Sequence, residues 1–217
     1  MGIRRGSIST PIIADGLLTN FDASNLASTT PSSATTIIKN TINLDNNGTF
    51  GATGAYDASN KCFDWDDTVN MQLDTAIDLG TEYTYCAWIN PTAWAGEPIG
   101  GNTVGSVYMM YLNDATNFYH NTGGGNYVLV PHGLSLSTWV YFSFTRKNSS
   151  IKVYQNGALL GSHTIGGNNS MSVRNFGTET GANYYYDGKQ DNMNLYNRAL
   201  SADEILHNYN ALKSRFE

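Results

Sequence analysis

Hydrolysis of a glycosidic bond needs two carboxylates about 5 to 9.5 Å apart, which a β-strand supplies as acids at alternate positions. The five glutamates, Glu82, Glu97, Glu179, Glu204 and Glu217, form no Glu-x-Asp-x-Glu pattern, and the runs SVYMMYLN and WVYFSFTR carry no carboxylate pair. His120, His132, His163 and His207 lack the spacing of a zinc helix or of a nucleophile's partner, and no GxSxG or phosphate-cradling glycine loop occurs. The chain therefore reads as non-enzymatic, its histidines as structural.

Two other groups carry chemistry. Asp57, Asp64, Asp66, Asp67, Asp74, Asp78 and Glu82 follow one another with only Lys61 among them. Hard carboxylate oxygens in loops suit Ca²⁺, so Asp64, Asp66 and Asp67 are candidate ligands; the alternative is that they form turns and face water. Asp187 and Asp191 pose the same choice. The second group is aromatic. Trp88, Trp94, Tyr108, Tyr111, Tyr119 and Tyr127, with Asn113, Asn117 and Asn126, offer rings for sugar C–H faces and amides for hydroxyls. Protein interfaces use the same residues, and the sequence does not separate the two.

The elements that must position these groups follow from composition. Of 217 residues only 14% are charged, while Gly numbers 22, so the polar surface comes from Asn, Ser, Thr and Gly. That balance fits a turn-rich β protein and excludes a helical bundle. The net charge of -6, with 12 scattered basic residues, leaves no basic stripe for nucleic acid. No run is apolar enough to span a bilayer, and the opening lacks a signal-peptide core, so the product is expected to be made soluble in the cytoplasm, without membrane insertion. Cys62 and Cys86 have no CxxC spacing and read as buried free thiols.

Residues 1–15 read as an extended arm, and 16–217 as one domain. Short β-forming runs separated by Gly/Asn turns predict an all-β, two-sheet antiparallel sandwich. Asn156-Gly157 between IKVYQ and ALLGSHTI predicts a tight hairpin. Ser201 with Glu204, ahead of Ile205, Leu206, Tyr209 and Leu212, predicts a short C-terminal helix opened by a capping box. In TWVYFSFTR, Val140, Phe142 and Phe144 share one face, and Trp139, Tyr141, Ser143 and Thr145 the other. EYTYCAWIN is likewise apolar on both faces, so these strands need a second cover or present a binding face. Phe63, Tyr85, Ala87, Phe142, Phe144, Val153 and Leu195 are the expected core.

The ordered motifs FDW, EYTYCAWINP, WVYFSFTRKNSSIKVYQNGALLG and YDGKQDNMNLYNRALSADEI resemble the laminin G-like jelly roll of the concanavalin A-like lectin/glucanase superfamily, over Gly16 to Phe216. The most specific pieces are Tyr154-Gln155-Asn156-Gly157 and Leu195 to Ser201 followed by Glu204-Ile205. The chain departs from that pattern at Trp65, where the family has Gly, and at Gln190, where it has an aliphatic residue. The resemblance implies a jelly-roll sandwich and Ca²⁺ at its rim. The opening, IRRGSISTPIIADGLLTNFDASN, resembles the start of virion structural proteins of tailed bacteriophages. On that basis the expected role is a virion component, in capsid decoration or in a tail or fibre. It would be present in many copies and joined to other virion proteins through Ile3, Arg4, Arg5, Ile8, Ile12 and Ile13. The alternative is an adhesin module that contacts host surface glycans.

Overall fold

Alternating apolar residues build the sheets, and the strands that are apolar on both faces decide how many layers are needed. The computed structural model describes residues 11–25, 36–51, 56–66, 69–94, 97–101, 108–112, 114–122, 126–167, 169–178 and 185–217. Ile3, Arg4, Arg5, Ile8, Asp67 and Asn113 lie outside these residues, as do the side chains of Asp66 and Tyr108. In chain order the strands are β1 (Leu17–Phe21), β2 (Ile37–Ile38), β3 (Gly48–Phe50), β4 (Tyr56–Asp57), β5 (Cys62–Asp66), β6 (Met71–Gly80), β7 (Glu82–Pro91) and β8 (Glu97–Gly101). There follow β9 (Tyr108–Leu112), β10 (Asn117–Asn121), β11 (Tyr127–Pro131), β12 (Val140–Lys147), β13 (Ser150–Gln155), β14 (Ala158–Thr164), β15 (Met171–Phe176) and β16 (Asp187–Tyr196). Helix α1 (Ala202–Leu212) and a 3-10 turn (Lys213–Arg215) close the chain.

The strands form two antiparallel sheets. The first runs β14-β13-β12-β7-β16-β5-β4, with β1 also on β16; the second runs β11-β10-β9-β8-β15-β6-β3-β2. This is the expected jelly-roll sandwich. The Ser/Thr/Asn-rich stretch up to Asp57 holds the short strands β2, β3 and β4, and EPIGG and NFYHN form strands as well. Gly and Pro in one, and Asn and His in the other, conceal the period that burial then enforces: Phe118 and His120 turn inward while Asn117, Tyr119 and Asn121 turn outward.

All seven expected core residues are buried. Phe142 lies 4.9 Å, centroid to centroid, from Phe118 of the opposite sheet, and Tyr85 stacks at 6.2 Å on Phe176. Trp65 continues β5 instead of turning and packs edge-on against Phe50 and over Gly177, where a Cβ would meet the indole at 2.4 Å. The β13–β14 hairpin forms as expected. Asn156 (φ 51°) and Gly157 (φ 80°) both adopt the left-handed backbone, and a Cβ at Gly157 would sit 2.7 Å from Leu206 of α1.

A second core lies on the outer face of the first sheet, where Cys86, Trp88, Tyr141, Tyr154 and Tyr196 are covered by α1 and the residues after it. Trp88 stacks on Phe216 at 4.3 Å and on Tyr209 at 5.7 Å. This corrects the placement of Trp88 among exposed contacts, since the ring is 1% exposed. It also corrects Ile12 and Ile13, which pack on this core instead of presenting themselves to a partner. Ile13 N–H donates to Asn208 Oδ1 at 2.8 Å, and the Tyr196 hydroxyl donates to Ile13 carbonyl oxygen at 3.0 Å. The capping box of α1 is complete: Glu204 N–H donates to Ser201 Oγ and Ser201 N–H to Glu204 Oε2. Arg198 grips the same Glu204 carboxylate with both terminal nitrogens, at 3.0 and 2.7 Å.

Two outcomes test this architecture. Phe142→Ala empties a site that a packed sandwich refills poorly, so a denaturant melt should show a loss of about 3 to 5 kcal/mol. The Arg198 fork holds the Glu204 carboxyl down to about 2, from an ordinary value of 4.5. A lowered acid contributes stability above its ordinary value and loses it as pH falls through the folded one. The gap in melting temperature between wild type and Glu204→Gln should therefore be full above pH about 5 and close toward pH about 2.

Candidate functional site

The outer faces of the two sheets differ. On the second sheet, no described element covers the outward residues of β9, β10 and β11. Register places Tyr111 opposite Tyr119, Tyr119 opposite Leu129, and Asn121 opposite Tyr127. The period of two then puts Tyr111, Tyr119 and Tyr127 on the same side, across three adjacent strands. Their ring centroids are separated by 4.5 Å and 5.1 Å, the second pair stacked at 21°. Tyr127 is 53% exposed, and Leu129 beside it is 43% exposed. Asn121 Nδ2 donates to the Tyr119 hydroxyl at 3.2 Å, which orients the central phenol. Burial and the neighbouring Tyr127 raise the Tyr119 hydroxyl above its ordinary value, so it stays a neutral donor and acceptor. An apolar stripe with hydroxyl tips, part-exposed at Tyr111 and Tyr119 and exposed at Tyr127, can receive a ligand that has a C–H face and polar edges.

The structure thus brings three of the expected aromatics together and places Trp88 and Trp94 elsewhere. Trp94 is half-buried, packs on the inter-sheet core and stacks on His132 at 5.1 Å. The Asn126 side chain lies against Gly166 and Gly167. Asn117 is taken up by the Asp114 turn, to which its amide donates. Asn121 and Leu129 were missed as members of the face; the alternation Asn-Phe-Tyr-His-Asn around Phe118 is the signal that could have found Asn121. The histidines act as expected: His120 Nε2 meets the buried Tyr83 hydroxyl at 3.2 Å, and His132 bonds the Asp114 carbonyl and the Leu134 amide.

Of the expected calcium ligands, Asp64 alone has a described side chain; those of Asp66 and Asp67 lie outside the described residues. Asp64 lies 3.3 Å, and Asp57 3.0 Å, from the Lys189 ammonium. Against the effect of burial, bonds from Asn60 and Lys189 hold the Asp57 carboxyl well below the usual range. These two carboxylates already share a cation on the chain and do not fit Ca²⁺, which wants several unshared oxygens. Among the described residues no group of three His, Cys, Asp or Glu side chains could hold a metal.

Solved structures share this fold. The chain matches Trypanosoma rangeli sialidase with a TM-score of 0.63 and 14% identity, over 96% of this chain and 36% of that one. It matches the binding domain of Paraclostridial Mosquitocidal Protein 1 with a TM-score of 0.62 and 14% identity, over 89% of this chain and 52% of that one. The chain thus spans about half of the mosquitocidal structure and little over a third of the sialidase. Domain 4 of an extracellular arabinanase from Geobacillus stearothermophilus, in complex with arabinotriose, matches with a TM-score of 0.56 and 16% identity, over 88% of this chain and 96% of that one. A comparison with curated protein sequences finds no match. The family profile described as concanavalin A-like lectin/glucanases superfamily, laminin G type, matches residues 64–206, and with both sheets in place the chain belongs to that superfamily.

Proposed function

We propose that this domain is a non-catalytic carbohydrate-binding module whose ligand lies across Tyr111, Tyr119 and Tyr127. The observation that carries the reading is the row of three rings at 4.5 and 5.1 Å on one sheet, which no described element covers, while the equivalent face of the other sheet is sealed by a helix. Sugar rings present C–H faces to the phenyl rings, and their hydroxyls bond to the phenols and to Asn121. Strands β9, β10 and β11 contain no Asp or Glu, so this face offers no acid and base pair for glycoside cleavage. The arabinanase domain solved with arabinotriose and the toxin binding domain support a binding role for this fold.

The virion role expected from the opening residues rests on the arm. The described part of that arm docks on α1 of its own domain, so sugar contact is the leading reading. A copy carried on a particle would use the same tyrosine face toward host glycans.

A glycan array followed by calorimetry on the best ligand tests the proposal. Tyr119→Ala should weaken binding about tenfold or more, equivalent to about 1.4 kcal/mol, and shift the melting temperature little. Unchanged affinity would remove the tyrosine face as the site. Prolonged incubation with the bound glycan should release no reducing ends.

A further inference from the structure

The cover over the first sheet stops short of one end of it. In register, Asp64 of β5, Lys189 of β16 and Asn90 of β7 form a row across three strands, one pair beyond the row that holds Trp88. Phe216 seals Trp88, and beyond it the sheet opens into a cleft of about 420 Å³ lined by Asn90, Lys189, Trp139, Asp191 and Arg215, among others. This volume lies in the range of small-molecule sites, about 300 to 1,000 Å³. The half-buried Trp139 ring, 5.0 Å from Phe216, provides an apolar side wall.

The opposite wall is held rigidly. Asp191 is 1% exposed and accepts from Ala23 N–H, Asn192 N–H and Arg215 Nη2, each at 2.7 Å. Arg215 also grips both oxygens of Asp22, at 2.8 and 3.1 Å. The Asn90 amide has no side-chain partner among the described residues and points out of the sheet into the cleft.

Charge decides the ligand class. Arg215 is matched by Asp22 and Asp191, and Lys189 by Asp57 and Asp64, while the exposed Lys61 and Glu217, which also line the cleft, carry opposite charges, so together with their partners these groups offer an anion no net positive charge. The Glu217 carboxylate already accepts from the Tyr209 hydroxyl at 2.7 Å, and no group of three ligand side chains among the described residues could hold a metal there. What remains is a ring wall, a free amide that both donates and accepts, and paired charges whose spare N–H and lone pairs can bond neutral hydroxyls. We infer that this cleft is a second sugar site, taking a neutral saccharide unit or chain end with one C–H face on Trp139 and its hydroxyls on Asn90 and Lys189. The inference rests on the carbohydrate reading above and extends it: a module with one site on each outer face bridges two glycan strands.

The test is a ¹H–¹⁵N titration of the wild-type domain and of Tyr119→Ala with arabinotriose, galactose, glucose and N-acetylglucosamine at millimolar concentration. The Trp139 indole is assigned with Trp139→Phe, and the Asn90 amide with Asn90→Ala. At least one sugar should shift both signals, with the same midpoint in Tyr119→Ala as in wild type, and Asn90→Ala should raise that midpoint at least fivefold. Shifts at Asn121 without shifts at Trp139 and Asn90 would overturn the second site and leave the tyrosine face standing. Shifts at Trp139 and Asn90 alone would sustain the second site and sink the first. No shift with any of the four sugars would overturn the second site.

Discussion

The first sheet is apolar on both faces, and that constraint organises the rest of the molecule. Its central strands bury Tyr85, Ala87, Phe142 and Phe144 against the opposite sheet, and Cys86, Trp88, Tyr141, Tyr154 and Tyr196 on the other side. A large aromatic side chain carries about 150 to 250 Å² that water disfavours, so a sandwich of two layers would leave a substantial sticky patch. Helix α1 and the 3-10 turn supply a third layer. Their attachment recruits residues from both ends of the described chain: the Arg198 fork and capping box at the start of α1, Ile12 and Ile13 along its flank, and Phe216 over Trp88.

Polar groups tie that layer down at a cost. Burial and neighbouring Asp22 push the Asp191 carboxyl up to about 7, against the pull of Arg215 and of two backbone amides. Buried ion pairs of this kind contribute little net stability but penalise any arrangement that separates them, which suits a group whose task is to place the residues after α1. The bulge in β16, where Asn192 takes a φ of 49°, lets Asp191 collect three donors and still face the outer layer. Gln190, on the inner side, has neither amide atom partnered among the described residues, and it stands where the family carries an aliphatic residue. Nothing in the structure explains that choice.

Among the described residues the second sheet has no such layer. The same aromatic-rich composition therefore appears in two settings: rings on β7 and β12 hold a helix, while rings on β9, β10 and β11 form a contiguous row that no described element covers. At the end of the first sheet beyond Phe216 the third layer stops, and polar and aromatic groups line a cleft together.

Local patterns in the sequence were enough for everything that depends on near neighbours. Asn156-Gly157 specified a hairpin because only that backbone chemistry tolerates two positive φ angles in succession. Ser201 with Glu204 specified the start of α1 because both partners lie within one turn. Alternation in TWVYFSFTR and EYTYCAWIN showed strands needing cover on both faces, and composition excluded a bundle. Residue types also narrowed the ligand-contact candidates to tyrosine, tryptophan and asparagine. Which of these are exposed depends on distant pairing, which no local period encodes. Trp88 and Tyr119 look alike in sequence, yet α1, over a hundred residues from Trp88, seals one and no described element covers the other. The acids from Asp57 to Asp67 read as a cluster in the chain, but β16 brings Lys189 between Asp57 and Asp64, and only tertiary pairing supplies that cation, because it lies over a hundred residues further along the chain.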